Sequence, residues 1–409
     1  MTKYSLRCPQ CAKECTPEPE GFGCPDCDAP TVVRMNLDES AFSPRPGVSS
    51  MWRYFDLLPV EEEQWITTQG EGWTPLVEAT ALAERFGIGE ILLKNETVNP
   101  TGAFKDRQVS VGISKAREAG ASTVAVVSSG NVAASASSYA ALAGIHCKVF
   151  TPANAPEDRL IQARIYGAAH YKVDTCSSSR LFELVVGACR EQGWHLLSTA
   201  GLYNPFQVEG AKTIAHELYE QTETLPDLVI VPVGGGGLLG ALWRGFEELK
   251  RLGRIEGTPA LVGVQASACT PLVQALEKGL SPAEVIANPV DVGVTIAGAI
   301  ADDILFDAYT ALPAIRETGG AAVAVTDAEM LSAQKRLARE AGLFAEPASA
   351  ATIAGLAKLR ESNRIGASDR VCCVITGSGF KDIDAARGNV DPPVVIEPTE
   401  TAFKALSRD

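Results

Sequence analysis

The chain has no run of apolar residues long enough to cross a bilayer, and its start, Met1-Thr2-Lys3-Tyr4, has no apolar signal segment. A cytoplasmic protein is the expectation. Basic residues are also short: 36 Lys and Arg face 50 Asp and Glu, a net charge of −14. That field repels phosphate backbones and sets nucleic acid aside as a main partner. Only four histidines occur, His146, His170, His195 and His216, and none is spaced as a metal pair or a hydrolase triad. There is no repeat with a period of 20–50 residues and no low-complexity tract.

What is present suits a folded enzyme-sized body. The 409 residues are 46% hydrophobic and 21% charged, a balance that fills a core and argues against disorder. This length predicts more than one core. Five of the eleven cysteines crowd into the first 27 residues. Cys147, Cys176, Cys189, Cys269, Cys372 and Cys373 are scattered among apolar and small residues and read as small buried hydrophobes in a reducing compartment.

Cys8-Pro9-Gln10-Cys11 and Cys24-Pro25-Asp26-Cys27 are two C-x2-C pairs separated by twelve residues. Each pair can turn two thiolates toward one point, and four satisfy tetrahedral Zn²⁺. The segment between them is too poor in apolar residues to fold unstapled, so a structural zinc knuckle over residues 1–35 is expected, with Cys15 a competing ligand. Residues 36–75 are irregular and carry Trp52, Tyr54, Phe55 and Trp65, which need burial; they predict an arm wrapped on the body.

From Glu78 onward, short β-rich runs alternate with Ala-rich helical stretches. The runs are Ile91–Lys94, Val124–Ser128, Cys147–Phe150, Leu228–Val233, Leu261–Gln265, Ala322–Val325 and Val371–Thr376. Strands apolar on both faces, alternating with helices, predict an α/β core (76–409) of mostly parallel sheet covered on both sides. Such sheets bind ligands beyond the C-terminal ends of their strands.

Three strand ends carry unusual residues. Ser128-Ser129-Gly130-Asn131 leads into a helix of small side chains, whose free N–H groups suit a carboxylate. Gly234-Gly235-Gly236-Gly237, followed by Leu238, spends chain entropy with no packing return unless its backbone must approach an anion closely. It matches neither G-x-G-x-x-G nor G-x-x-x-x-G-K-[ST], so a single phosphate is indicated. Thr376-Gly377-Ser378-Gly379 places a hydroxyl where a ring nitrogen can face it. Ahead of them all, Asn99-Pro100-Thr101-Gly102-Ala103-Phe104-Lys105 presents a lysine at a helix start. Desolvated there, its amine becomes a nucleophile able to form a Schiff base with pyridoxal 5′-phosphate.

With these motifs in order, and with Glu346-Pro347-Ala348-Ser349-Ala350 between the last two, the chain resembles the threonine synthase family of fold type II pyridoxal-phosphate enzymes, the tryptophan-synthase-β-like group, over about residues 70–385. The resemblance implies two doubly wound, mostly parallel sheets with the cofactor between them, a smaller sub-domain at roughly 110–205 inserted in a larger one, and a homodimer. It implies Lys105 as the Schiff-base lysine and Asn131 at the ring hydroxyl. Gly234 to Gly237 and Leu238 would hold the phosphate and Thr376 the ring nitrogen. Ser128, Ser129, Gly130 and Gln207 are the substrate-binding expectation. The family acts on O-phosphohomoserine and water, giving threonine and phosphate. The family pattern N-S-V-N-P-x-R reads here Gly201-Leu202-Tyr203-Asn204-Pro205-Phe206-Gln207, so the residues that grip the substrate phosphate are altered. A β-hydroxy amino acid dehydratase, an ammonia-lyase or a β-replacement synthase stays open beside threonine synthase; an apolar or aromatic substituent would suit Leu202, Tyr203 and Phe206. A zinc-ribbon regulator that only senses an amino acid is the non-enzyme reading; retention of every cofactor motif weighs against it.

Overall fold

The computed structural model describes residues 3–15, 22–37, 42–155, 157–175 and 178–406; Cys176 lies outside them. Thirteen strands occur among these. Three belong to the N-terminal module: β1 (Tyr4–Arg7), β2 (Glu14–Cys15) and β3 (Val32–Met35). The rest follow in chain order as β4 (Leu76–Glu78), β5 (Glu90–Asn95), β6 (Thr123–Val127), β7 (His146–Pro152), β8 (Ala169–Val173), β9 (His195–Leu197), β10 (Leu228–Pro232), β11 (Ala260–Ala266), β12 (Ala321–Val325) and β13 (Arg370–Ile375).

The large sheet has the order β12-β11-β10-β13-β5-β4. It is parallel except for β4, which pairs antiparallel with β5 at the edge. The small sheet, β8-β7-β6-β9, is parallel throughout. Side chains alternate across the large sheet: Val229, Val231, Cys372 and Val374 enter one core cluster, and Ile230, Cys373 and Ile375 enter another on the opposite face. That two-sided burial is why these strands read as unbroken apolar runs. Each buried Val, Leu or Ile contributes about 1.5–3 kcal/mol. Cys372 and Cys373 are both fully buried on opposite faces, as small hydrophobes.

The small sheet packs one face on the helices Lys105–Glu118 and Asn131–Ala143, through Val109, Ile113, Ala133 and Tyr139. Its other face covers Ser178–Gln192 through Leu181 and Val185. The helical stretches between the apolar runs include Asn131–Ala143, Ser178–Gln192 and Asp327–Ala341. Three strands of the body were invisible as apolar runs. Strand β8, Ala-His-Tyr-Lys-Val, is an exposed edge and needs no apolar pattern; β4 and β9 are each three residues long.

The arm is anchored by its aromatics. Trp52 and Phe55 pack with Met51, Leu58 and Val111, and the Trp52 indole donates to Glu71 (2.8 Å) and Ser110 (2.9 Å). The N-terminal module docks on the body through Phe206, whose ring meets Tyr4 and Phe22 edge-on at 5.5 and 5.6 Å. Tyr309 adds a hydrogen bond to Gln10 (2.7 Å).

Beneath the small sheet, the Lys105–Glu118 helix is clamped against the 207–212 turn. A Cβ at Gly210 would stand 2.0 Å from the carbonyl oxygen of Arg107, so only glycine permits this approach. Arg107 is fully buried and accounts for its charge completely. It donates to both oxygens of Glu96 at 2.7 Å, to both oxygens of Glu217, and to Thr213 and Thr74. Lys94 shares Glu217 (2.6 Å) and reaches the Thr74 carbonyl (2.7 Å). Burial pushes the Glu217 carboxyl up, but Arg107 and Lys94 override it and hold the group well below the usual range.

Candidate active site

A cavity of about 1010 Å³ lies between the two sheets, at the C-terminal ends of β6, β10 and β13. Lys105 sits in its wall as the first residue of its helix. The preceding turn is stitched to the end of β13. The Phe104 N–H donates to the Thr376 carbonyl (2.9 Å), Ala103 bridges Gly377, and the Ser378 N–H donates to the Gly102 carbonyl (2.9 Å). Asp106 closes the turn from inside, accepting from the Thr101 N–H and hydroxyl (both 2.7 Å) and from Ser135 (2.6 Å). The Lys105 amine has Gln108 Oε1 at 3.3 Å and lies 4.7 Å from the centre of the Phe104 ring. Burial lowers its pKa to about 8, against the opposing pull of Asp302, Asp307 and Glu346. An amine so placed is a usable base and nucleophile near neutrality.

The four glycines leave β10 and enter the Gly237–Arg251 helix with Gly236 at φ +93°. A Cβ would meet Asp302 at 2.5 Å from Gly234, Phe306 at 3.0 Å from Gly235, Leu305 and Ala311 at 3.0 Å from Gly236, and the Thr199 carbonyl at 2.8 Å from Gly237. The loop is therefore a cradle that only glycine can form, open to the cavity, with Leu238 behind it. Two carboxylates stand in it. Gly235 N–H donates to Asp302, and Asp307 accepts from Gly201 N–H (2.9 Å) while its other oxygen is buried without a hydrogen-bond partner. Burial raises both groups, Asp307 to about 6. Asp302 thus takes one N–H of the cradle, and Asp307 keeps a buried acceptor that its own neighbours do not satisfy.

Ser128, Ser129, Gly130 and Asn131 line the opposite wall, and Asn131 donates to both oxygens of Glu346 (3.2 Å each). Thr376 faces the cavity with its hydroxyl 2.8 Å from that of Ser349. Ser349 in turn accepts from the Gly377 N–H (2.7 Å). Ser349 can donate to Thr376 or to the Gly377 carbonyl (3.1 Å); when it donates to Thr376, the Thr376 hydrogen is left for another acceptor.

Gln207 is not in the cavity. It is fully buried, its Oε1 accepting from the Ser198 N–H (3.1 Å) and filling the space over Gly112. It joins the helix to β9 and is a packing residue. Of the apolar trio, Tyr203 alone reaches the cavity, stacked on Phe182 at 5.1 Å. Phe206 is spent on the N-terminal module, and Leu202 lines a separate pocket of about 20 Å³, room for one water. Among the described residues no histidine lines the cavity. Sequence reasoning missed Asp302, Asp307 and Lys381, because charged residues in loops read as solvated surface. Ser349 and Glu346 lay in a motif already singled out, but without assigned partners.

A second cluster is remote from this one. The sulfurs of Cys8, Cys11, Cys24 and Cys27 all lie within 4.8 Å of one another. Each pair is followed by a residue in left-handed conformation, Ala12 (φ 61°) and Asp28 (φ 55°), which turns the chain around the thiols. Cys15 stands outside the quartet, hydrogen-bonded to the Lys13 carbonyl.

Residues 67–377 match the family of pyridoxal-phosphate dependent enzymes. Threonine synthase from Methanocaldococcus jannaschii is 41% identical over 361 residues, 88% of this chain and 87% of that protein. The chain belongs to the threonine synthase family. Threonine synthase from Methanosarcina acetivorans is 37% identical over 98% of both chains. Maize serine racemase, with a TM-score of 0.64, 23% identity and coverage of 82% of this chain and 92% of that one, shares the fold. The protein is thus a fold type II, pyridoxal-phosphate-dependent lyase with threonine-synthase-like function. As in any member of this family, its cofactor needs an amine, a phosphate cradle and a partner for the ring nitrogen. Lys105, the Gly234–Gly237 loop and Thr376 fit those needs on one cavity wall. Among the described residues no helix is long and apolar enough to cross a membrane.

Proposed function

We propose that the protein converts O-phosphohomoserine and water to threonine and phosphate. One observation carries the reading: a lysine lowered to about 8 stands in one cavity with a glycine cradle, a small-residue helix start and a strand-end hydroxyl. In this reading Lys105 holds the cofactor covalently, Gly234, Gly235, Gly236, Gly237 and Leu238 receive its phosphate, Asn131 meets its ring hydroxyl, and Thr376 donates to its ring nitrogen. The bound cofactor supplies an electron sink for negative charge developing at the substrate carbons. Lys105, once released, takes and returns protons at those carbons as general base and acid. Ser128, Ser129 and Gly130 hold the substrate carboxylate at the helix start. Phe182, Tyr203 and Phe306 wall the site with aromatic surface and exclude bulk water. A neutral hydroxyl at the ring nitrogen, in place of a carboxylate, favours elimination and replacement at the β or γ carbon.

The test is phosphate release from O-phosphohomoserine by the holoenzyme, with borohydride fixing the cofactor on Lys105. A second reading, elimination from a substrate without phosphate, is favoured by Gln207 standing away from the cavity. Formation of a 2-oxoacid from β-hydroxy amino acids, with no phosphate release, would establish it instead.

The Cys8, Cys11, Cys24 and Cys27 quartet holds structural Zn²⁺ in this reading. Thiolates about 2.3 Å from a tetrahedral metal stand about 3.8 Å apart, and the closest sulfur pairs here are 3.5 and 3.6 Å apart. One zinc per chain by elemental analysis, lost with Cys24→Ser, is the expected result. A cytoplasmic homodimer completes the proposal, with sedimentation as its check.

A further inference from the structure

Resting on the phosphate-monoester reading above, a question follows from Gln207: which group receives the substrate phosphate when the family's grip is altered at Gly201, Leu202 and Gln207? Lys381 answers it. The residue follows the Thr376–Gly379 strand end and lines the same cavity as Lys105. Its ammonium donates to the Thr101 carbonyl (2.8 Å) and to Gln162 Oε1 (2.7 Å). Both partners are neutral oxygens, and among the described residues Lys381 makes no ion pair. An ammonium has three N–H donors, so one remains for the cavity. Burial lowers its pKa, against the opposing pull of Glu346 and Asp106, which act through space without a hydrogen bond to the ammonium.

The setting is also built. The Lys381 stem lies over Gly102, its Cδ 3.6 Å from where a Cβ would stand, an ordinary contact distance. Gln162 comes from the Glu157–Ile165 helix beside the small sheet, whereas Lys381 follows the large sheet. The pair joins two sides of the cavity, and Thr101 belongs to the turn that delivers Lys105. A half-buried cation whose direct partners are neutral oxygens on two sides of a cleft has a donor left for an anion. By contrast, Arg107 and Lys94 have theirs.

We propose that Lys381, steadied by Gln162 and the Thr101 carbonyl, is the specificity-determining anchor for the phosphate group of the substrate. Its ammonium pairs with the phosphate while the substrate carboxylate is held at Ser128–Gly130, and the phosphate then leaves toward the cleft mouth.

The experiment compares wild-type, Lys381→Gln and Lys381→Arg holoenzymes, matched for cofactor content and thermal midpoint. In Lys381→Gln the KM for O-phosphohomoserine rises about ten-fold or more, with kcat changed far less. The dissociation constant for inorganic phosphate, by calorimetry, rises by a similar factor. Binding of L-threonine, which has the carboxylate but no phosphate, stays within about two-fold by the visible band of the cofactor. Lys381→Arg recovers most of the phosphate affinity. Unchanged KM and phosphate affinity in Lys381→Gln would overturn the assignment. So would an equal loss of L-threonine binding, which would make Lys381 a carboxylate anchor. If the wild type releases no phosphate from O-phosphohomoserine, the reaction reading falls and calorimetry still decides the site. Phosphate binding lost in Lys381→Gln then sustains it, and no phosphate binding by the wild type ends it.

Discussion

Lys105 and Arg107 are two residues apart on one helix, and the structure gives their charges opposite treatment. Arg107 points into the scaffold, where Glu96 and Glu217 bond every face of its guanidinium, and Lys94 joins the same network. Lys105 points into the cavity, where its nearest partner is a neutral amide oxygen at 3.3 Å. Lys381, from the far end of the chain, shares that condition. Fully paired cations hold elements in place; cations left with neutral partners stay available for chemistry. Buried charge marks a functional site only when its pairing is incomplete.

That contrast is open to attack at several points. Lys105→Ala should lower kcat/KM about 10⁴-fold or more while the urea midpoint barely moves. A comparable loss of stability would mean that Lys105 is scaffold. Glu217→Gln should do the reverse. Removing the charge of Glu217 strands Lys94, leaves Arg107 with Glu96 alone and costs about 3–5 kcal/mol, read as a lower urea midpoint. The residual folded fraction should retain its cofactor band. Ser349→Ala frees Thr376 from its hydrogen-bond partner and leaves the Gly377 N–H unpaired. About 1–2 kcal/mol of stability and roughly ten-fold of kcat should go together, with a shift in the visible band.

A smaller effect comes from pH. An amine must lose its proton to attack, so the rate at which apoprotein captures cofactor should rise with pH and level off above about 8, where Lys105 titrates. From pH 7 to 8 the free-base fraction grows about five-fold. A rate still climbing ten-fold per unit through pH 9 would show an ordinary lysine. The smallest change is expected at the exposed Asp384–Arg387 pair, 3.3 Å apart. Its loss should cost under about 0.5 kcal/mol, because solvent already screens both charges.

Much of the fold was legible because burial on both faces leaves an unbroken apolar run. Strands β10, β11 and β13 announced themselves in this way, whereas β8, an exposed edge, had nothing to announce. The cysteine quartet was legible for a different reason: its ligands come from two short local turns, so spacing alone brings them together. The strand-end residues Ser128, Gly234 and Thr376 were legible because a parallel sheet gathers its C-terminal ends. Gln207 was misplaced because alignment with a family pattern gives a position but not a direction, and its side chain turns inward over Gly112. Asp302 and Asp307 gave no signal, since a loop carboxylate reads the same whether it meets water or a glycine cradle.

By itself the sequence determined the layered α/β architecture, the four clustered thiols and the presence of a lysine, a glycine loop and a hydroxyl at strand ends. Those properties are written in local pattern: side-chain period, turn residues and short spacings. Only the tertiary structure decided which cations are neutralised. Glu217 reaches Lys94 across 123 residues, and Lys381 reaches Thr101 across 280, where its hydrogen bond is to a carbonyl. Electrostatic pairing depends on distance in space, and no local pattern records the separation of groups that far apart in the chain.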